Sequence, residues 1–297
     1  MGKDLFLNFG EAKEVFEEAS DAAGIDIATL AFEGPEDRLN LTANTQPAIL
    51  SVSIAALRVL SSEAGLRPKF LAGHSLGEYA ALVCSGVLSF SDAVKTVKRR
   101  GELMQEAVPA GTGAMAAILG MEKEEVALVC EEAGKGELVS SANFNSPGQI
   151  VIAGARDAVG RAVELAKEKG AKRAILLPVS VPSHCALMAG AGEALGLFLE
   201  GLELGDFAVP VVSNVEAKPY PGKSSAVDLL VRQMSFPVRW DDSIACLRAE
   251  GVVKVVEVGP GKVLSGLVKR IDKTIATANV EDLASLEKLE TELKGTL

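Results

Sequence analysis

The chain has 297 residues, 48% of them hydrophobic, and a formal net charge of −10. This length and apolar content supply a large core, and the acidic excess argues against nucleic acid as a partner. No stretch reaches the ~18 uninterrupted apolar residues of a membrane span, and the first residues lack the apolar segment of a signal peptide. We therefore expect a cytoplasmic globular protein with no membrane partner.

Metal and disulfide chemistry have little support in the composition. The four cysteines show no C-x-x-C spacing, and the chain has two histidines. Scattered cysteines of this kind are typical of reduced, mostly buried thiols. We therefore predict no metal site.

Residues 1–107 predict four helices, the third of which, Glu78 to Cys84, follows a short strand. Helical periodicity runs from Glu11 to Gly24, where the glycine ends the helix. Pro47 introduces an apolar helix from Ala48 to Leu60, because proline is tolerated in a first turn. Ser91 is the predicted N-cap of a later helix that ends near Ala107.

Residues 112–180 predict a separate pattern of strands and helices. In order, these are strand Ala114 to Leu119, helix Glu122 to Ala133, strands Leu138 to Asn143 and Gln149 to Gly154, helix Asp157 to Gly170, and strand Arg173 to Val179. The order βαββαβ is that of a ferredoxin-like unit. We predict that 111–179 form this small subdomain, inserted into a discontinuous core of residues 1–110 and 180–297.

The last third of the chain returns to strands that alternate with helices. The predicted strands are Val209 to Asn214 and Val252 to Val258, and the predicted helices are Gly190 to Glu200, Val227 to Gln233, Asp242 to Glu250, Val263 to Ile271 and Asp282 to Leu293. Alternation of this kind is typical of a parallel sheet covered by helices. The predicted fold class is therefore α/β.

A Gly-x-Ser-x-Gly motif joins a strand directly to a helix. Lys69 to Ala72 forms the predicted strand, and the run from Glu78 to Cys84 forms the helix. This context is that of a nucleophile elbow with Ser75 at its apex. Gly73 and Gly77 are expected to leave room for close backbones. The N–H of Leu76, at the helix start, would supply half of an oxyanion hole.

The base that activates Ser75 follows by elimination. A serine hydroxyl needs an adjacent base, and imidazole is the usual one. His74 directly precedes Ser75, so its side chain is expected to point to the opposite face. A lone histidine is more often a hydrogen-bonded core residue, but His184 is the remaining candidate in this sequence. We predict that His184 is the base, and the order Ser then His is that of α/β hydrolases.

Further motifs recur in the same order as in a known family. They are Gly73 to Glu78, Arg100-Gly101, Asn143 to Gln149, Val181 to Met188, Gln233 with Pro237 to Trp240, and Glu257 to Lys262. Together they resemble the motifs of bacterial malonyl-CoA:acyl carrier protein transacylases of type II fatty-acid synthesis, from Glu11 to about Ile271. The resemblance implies an α/β-hydrolase-like core with an inserted ferredoxin-like subdomain.

The resemblance also assigns roles to individual residues. Ser75 would accept a malonyl group from malonyl-CoA as an ester and pass it to the phosphopantetheine thiol of acyl carrier protein, with His184 as base. Arg100 would bind the malonyl carboxylate, since a guanidinium matches a carboxylate. Gln233 would help to orient His184, and Asn145 would line the cleft.

Other consequences concern the substrate and the partners. Leu76, where related acyltransferases for branched extenders have Gln, favours malonyl over methylmalonyl. The expected partners are malonyl-CoA and acyl carrier protein, with no cofactor beyond the coenzyme A thioester, and the protein is expected to be a monomer.

The chain departs from the family pattern at its start. Family members begin with a strand and a Gln-containing turn that donates the second oxyanion N–H, and this sequence starts beyond that turn. Leu5 to Phe9 is the segment that could replace part of the strand. Two alternatives therefore stay open: a serine esterase or thioesterase of the α/β-hydrolase type, and a weakly active chain that only binds carrier protein.

Overall fold

The computed structural model describes residues 1–109, 111–179 and 181–294. Its helices are α1 (Lys3–Asn8), α2 (Gly10–Ala23), α3 (Ile27–Glu33), α4 (Glu36–Leu39), α5 (Thr42–Ala64), α6 (Gly77–Cys84), α7 (Phe90–Ala107), α8 (Lys123–Gly134), α9 (Arg156–Glu168), α10 (Ala189–Leu199), α11 (Ala226–Ser235), α12 (Trp240–Ala249), α13 (Val263–Ile271) and α14 (Leu283–Lys294). Its strands are β1 (Leu71–Ala72), β2 (Gly113–Leu119), β3 (Val139–Ser146), β4 (Gln149–Ala155), β5 (Arg173–Leu176), β6 (Val211–Val212), β7 (Val238–Arg239), β8 (Lys254–Val258) and β9 (Ala276–Val280).

The chain divides into two compact units. Unit 1 comprises Met1–Gly101, Glu203–Val212 and Leu247–Leu297, and unit 2 comprises Glu102–Leu202 and Ser213–Cys246. All of the predicted subdomain 111–179 falls within unit 2. The predicted boundary residues Ala110 and Ser180 lie outside the described residues, so the domain division drawn from the sequence stays a prediction.

Helix α5 forms the core of unit 1. Leu50, Val52 and Ile54 are at most 2% exposed, and α2 packs along the helix. Among the described residues, α5 is the helix that is long and apolar enough to cross a membrane, but 56% of its most apolar window is buried inside the protein. A buried core helix has this composition for the same reason as a membrane helix, since both face apolar surroundings.

The predicted start of α5 is wrong. The helix begins at Thr42, upstream of Pro47, because the backbone N–H groups of Asn44 and Thr45 both donate to the Leu41 carbonyl at 2.8 Å. A first turn therefore closes before the proline, whose missing N–H would have donated to Ala43.

Parallel strand pairs organise unit 1, as predicted for an α/β fold. Strand β1 pairs with β6, and β8 pairs with β9 along their whole length. The sequence did not predict β9, because small and polar residues such as Thr277 and Asn279 weaken its apolar signal. Pairing with β8, rather than composition, makes this segment a strand.

Two local predictions in unit 1 are corrected. The N-cap of α7 is Ser89, whose Oγ accepts the backbone N–H of Asp92 at 3.1 Å, and not Ser91. The segment Leu5 to Phe9 is not a replacement strand, because residues up to Asn8 belong to α1.

Unit 2 contains the predicted ferredoxin-like sheet. The strands lie in the order β5-β2-β4-β3-β7, and β2, β3, β4 and β5 pair antiparallel. The predicted βαββαβ order is therefore confirmed. Strand β7, which the sequence did not predict, adds to β3 in parallel.

The two faces of this sheet bury different residues. One face packs Ala116 and Ile118 against α8 and α9. The other face packs Met115 and Val151 against Cys185, which is 1% exposed. Because Cys185 follows His184 in the chain, the sheet fixes the segment that carries the predicted base.

Candidate active site

Ser75 occupies the apex of a sharp turn in unit 1. Strand β1 ends at Ala72, Ser75 has φ of 52°, and α6 starts at Gly77. The turn is closed by hydrogen bonds from Gly77 N to the His74 carbonyl at 3.0 Å and from Glu78 N to the Ser75 carbonyl at 3.1 Å. A non-glycine residue with positive φ is uncommon and is often found at functional sites. The predicted strand, turn and helix are therefore confirmed.

The two glycines of the motif differ in their surroundings. A Cβ at Gly73 would lie 1.9 Å from the carbonyl carbon of Gly77, whereas a Cβ at Gly77 would meet nothing within 4 Å. Crowding therefore requires a glycine only on the strand side of the turn. The expectation that Gly77 also lacks room for a Cβ is wrong, because its Cα faces open space.

The start of α6 lies directly after the serine. Leu76 precedes the first helical residue, so its N–H lies at the positive end of the helix dipole. An oxyanion that forms on a group attached to Ser75 would be favoured at this end. The predicted position of Leu76 as a local donor fits this geometry.

Arg100 reaches the nucleophile from α7. Its Nη2 donates to Ser75 Oγ at 3.1 Å, and its Nη1 donates to Gln46 Oε1 at 2.7 Å. The residue is 2% exposed, and its guanidinium carbon lies 5.6 Å from the centre of the Tyr79 ring. The structure therefore brings Ser75 and Arg100 together, and the carboxylate-binding role that the resemblance implies for Arg100 stays a prediction.

The electrostatics of this cluster follow from burial. Burial lowers the pKa of Arg100, while the neighbouring Tyr79 and Glu78 act in the opposite direction. Burial likewise raises the pKa of Tyr79 to about 12. Arginine keeps its proton under all ordinary conditions in proteins, so a buried positive charge stands beside the serine hydroxyl.

The sequence did not identify Gln46, Glu78 or Tyr79 as parts of this cluster. Gln46 is 5% exposed and Glu78 is 0% exposed. A glutamine within an apolar helix, directly before Pro47, is the one signal that could have drawn attention to this position.

His184 is held in unit 2 by the end of α11. Its Nδ1 lies 2.7 Å from the backbone carbonyl oxygen of Gln233, and its backbone N–H donates to the carbonyl of Met234 at 3.1 Å. Both carbonyls belong to the last turn of the helix, where carbonyl groups lack partners within the helix. The histidine, which is 3% exposed and has φ of 60°, satisfies them.

This contact fixes the tautomer of the ring. A carbonyl oxygen can only accept, so Nδ1 carries the proton and Nε2 carries the lone pair. The C-terminal end of a helix also favours a positive charge. His184 is therefore built to accept a proton at Nε2, and the contact at Nδ1 comes from the main chain of Gln233.

Asn145 lies on β3 at an irregularity in the sheet. The pairing register with β4 shifts between Phe144 and Ser146, on either side of Asn145. A bulge of this kind re-aims a side chain. Asn145 is 9% exposed, and its role in lining a cleft stays a prediction.

The candidate residues belong to different units. Ser75, Leu76 and Arg100 are in unit 1, whereas His184, Gln233 and Asn145 are in unit 2. The pairing of Ser75 with His184 stays a prediction. Within residues 1–109, 111–179 and 181–294, no group of three or more His, Cys, Asp or Glu side chains could hold a metal ion.

Comparison with known proteins identifies the family. The model of the acyl transferase domain matches residues 1–296. The chain belongs to the acyl transferase family. Two curated relatives, each called malonyl CoA-acyl carrier protein transacylase, come from Haemophilus influenzae and Bacillus subtilis strain 168. They are 49% and 50% identical over 288 residues, cover 97% of this chain, and are themselves covered to 92% and 90%.

Solved structures of acyl transferases have the same fold. A type II PKS acyl-carrier protein in complex with its malonyl-transacylase matches with a TM-score of 0.96 and 48% identity, covering 98% of this chain and 94% of that one. An acyl carrier protein S-malonyltransferase from Vibrio cholerae matches with a TM-score of 0.93 and 51% identity, covering 97% of this chain and 94% of that one. The predicted fold class, an α/β core with an inserted ferredoxin-like subdomain, is confirmed.

Proposed function

We propose that this acyltransferase moves the malonyl group of malonyl-CoA to the phosphopantetheine thiol of acyl carrier protein through a malonyl-serine intermediate. The observation that carries the proposal is the buried guanidinium of Arg100, hydrogen-bonded to Ser75 Oγ at 3.1 Å. It is supported by the names of relatives about half identical over nearly the whole chain.

The first half-reaction forms the ester on Ser75. Its Oγ attacks the thioester carbonyl carbon while His184 Nε2 accepts the hydroxyl proton. The carbon–sulfur bond then breaks, and the departing coenzyme A sulfur takes the proton from His184. The backbone N–H of Leu76 stabilises the oxyanion between these two events.

The second half-reaction reverses these roles. His184 takes the proton of the phosphopantetheine thiol, whose sulfur attacks the ester carbonyl. The carbon–oxygen bond to Ser75 breaks, and the proton returns from His184 to Ser75 Oγ. The enzyme is thereby restored, so a ping-pong cycle is expected.

Arg100 selects the acyl group. The malonyl carboxylate accepts two N–H groups of the guanidinium, a pairing with fixed geometry. An acetyl group offers no carboxylate to this buried guanidinium, and the loss of such a pairing costs roughly 3–5 kcal/mol. Leu76 disfavours the extra methyl of methylmalonyl, which leaves malonyl as the preferred substrate.

The base needs no carboxylate in this chemistry. His184 is oriented by the carbonyl of Gln233 at 2.7 Å, a neutral acceptor. Such a base is weaker than one paired with a carboxylate, but a thioester is an activated acyl donor. We expect no cofactor beyond the coenzyme A thioester, a cytoplasmic location and a monomeric protein.

The test is the intact mass of the protein after brief incubation with malonyl-CoA. We expect a single malonyl adduct that is absent in Ser75→Ala and that leaves when acyl carrier protein with its phosphopantetheine arm is added. An adduct that instead leaves in buffer alone, at the same rate with or without carrier protein, would identify an esterase or thioesterase. A folded protein that forms no adduct would overturn the proposed enzyme and favour a chain that only binds carrier protein.

A further inference from the structure

Gln46 holds the guanidinium of Arg100 through a short chain of hydrogen bonds within unit 1. Arg100 Nη1 donates to Gln46 Oε1 at 2.7 Å, and Gln46 Nε2 donates to Thr42 Oγ1 at 2.9 Å. Gln46 is 5% exposed, so the contact is screened from water. Arg100 Nη2 meanwhile faces Ser75 Oγ, so Gln46 and Ser75 bind different nitrogens of the same planar group.

The chemistry of arginine fixes which way the amide of Gln46 points. A guanidinium can only donate, so the oxygen of the amide must face Arg100 and the nitrogen must face Thr42. The hydroxyl of Thr42 can accept from the amide nitrogen. The hydrogen bond to Thr42 therefore holds the amide of Gln46 in the orientation that accepts from Arg100.

Backbone packing brings this support close to Arg100. A Cβ at Gly101 would lie 2.5 Å from the Cα of Ala43 and 2.7 Å from the carbonyl oxygen of Thr42. Gly101, the residue after Arg100, therefore lets the backbone of α7 lie directly against the backbone of the first turn of α5. The side chain of Gln46 on α5 and the glycine at position 101 on α7 therefore both help to position the guanidinium of Arg100.

We infer that Gln46 is a positioning residue that sets the preference for malonyl over acetyl groups, an inference that rests on the proposed function. Its amide is neutral, so it orients the guanidinium without neutralising it. Gln46 itself therefore adds no negative charge that would compete with the carboxylate of the substrate. A carboxylate at position 46 would form an ion pair with Arg100 and compete with that substrate group.

The decisive variant is Gln46→Glu, which has nearly the same shape. Its two oxygens can accept from Arg100 and from the Thr42 hydroxyl, so we expect a folded protein at least as resistant to heat as the wild type. The rate of Ser75 acylation is measured by intact mass against malonyl-CoA and acetyl-CoA. We expect the malonyl-to-acetyl preference to fall about 10- to 100-fold, the range of a charge-assisted contact in a desolvated site.

The dependence on substrate concentration separates positioning from a general structural defect. In Gln46→Glu, the malonyl-CoA concentration that gives half-maximal acylation should rise, while the maximal rate and the rate with acetyl-CoA change little. Gln46→Leu removes the acceptor without adding a negative charge, so it should slow malonyl acylation about tenfold while keeping more of the malonyl preference than Gln46→Glu does. The matched control is Asn40→Asp, an amide-to-acid change at an exposed position of the same unit, which should keep the wild-type preference.

Three outcomes are distinguished. A wild-type protein that is not malonylated on Ser75 overturns the proposed function and this inference with it. A malonylated wild type together with a Gln46→Glu variant that keeps its malonyl preference overturns the inference alone. Loss of preference in both Gln46→Glu and Asn40→Asp also overturns it, because a change of net charge would then suffice.

Discussion

Nη2 of Arg100 donates a hydrogen bond to Oγ of Ser75 across 3.1 Å. The group proposed to recognise the substrate therefore touches the group proposed to attack it. A malonyl carboxylate that displaces the serine from this nitrogen would free the hydroxyl for attack at the moment when the substrate is bound. Under the proposed function, recognition of the substrate and release of the nucleophile would be coupled at one guanidinium.

Removal of Arg100 should abolish the preference for malonyl groups. In Arg100→Ala we expect malonyl acylation of Ser75 to fall about 100- to 1,000-fold, since leaving a buried charge without its partner costs roughly 3–5 kcal/mol. Acetyl-CoA should become the better substrate in relative terms. Rates are measured by intact mass, with Lys95→Ala as the control at an exposed position of the same helix. An unchanged ratio of malonyl to acetyl rates would contradict the assigned role.

The two glycines of the elbow should respond differently to alanine. Gly73→Ala places a Cβ 1.9 Å from the carbonyl carbon of Gly77, so we expect the free energy of unfolding to fall by about 3 kcal/mol or more. Gly77→Ala meets open space and should stay within about 1 kcal/mol of the wild type. Urea unfolding of both variants measures this, and equal stabilities would refute the proposed crowding.

Gly101 should be needed for the approach of α7 to α5. In Gly101→Ala the new Cβ would lie 2.5 Å from the Cα of Ala43, and we expect a loss of about 1–3 kcal/mol in unfolding free energy. Malonyl preference should fall too, because Arg100 shifts with its neighbour. Gly266→Ala is the matched control, because Gly266 also lies in a helix of unit 1 and a Cβ there would meet nothing within 4 Å. A Gly101→Ala variant as stable and as selective as this control would show that the contact is dispensable.

The base should depend on the ring of His184 and on the main chain of Gln233. We expect His184→Ala to slow acylation by about 10²- to 10⁴-fold, the usual contribution of a general base. Gln233→Met keeps the carbonyl that accepts from Nδ1 at 2.7 Å and should retain activity within about tenfold of the wild type, with a stability loss of about 1–3 kcal/mol for its buried amide. A Gln233→Met variant as inactive as His184→Ala would assign the orienting role to the side chain.

Alkaline pH should destabilise the protein through a buried thiol. Burial raises the pKa of Cys130 from 9.0 to about 12, so the unfolded chain releases this proton at lower pH than the folded chain. The stabilising contribution is therefore complete below pH 9 and is lost as pH rises from 9 towards 12. Urea midpoints measured across that range should fall less steeply in Cys130→Ala than in Cys246→Ala, which removes a partly exposed thiol. Parallel slopes in the two variants would contradict this prediction.

Much of this protein was determined by short stretches of sequence. The elbow was predictable because Gly73 to Gly77 lies between an apolar strand and a helix, and the turn is made by hydrogen bonds between close neighbours. The ferredoxin-like order was predictable because each of its elements has its own periodicity. His184 emerged as the candidate base because the chain has two histidines.

Other features were decided by contacts between residues far apart in the chain. Gln46 and Arg100 are 54 positions apart, and no pattern in either helix indicates their pairing. The acceptor for Nδ1 of His184 is a backbone carbonyl, which every residue carries, so the sequence could not show that the main chain of Gln233 makes this contact. Strands β7 and β9 likewise form because they pair with β3 and β8. Local patterns determine which elements form, because hydrogen bonds and periodicity act over a few residues, whereas only the packed structure decides which distant polar groups meet.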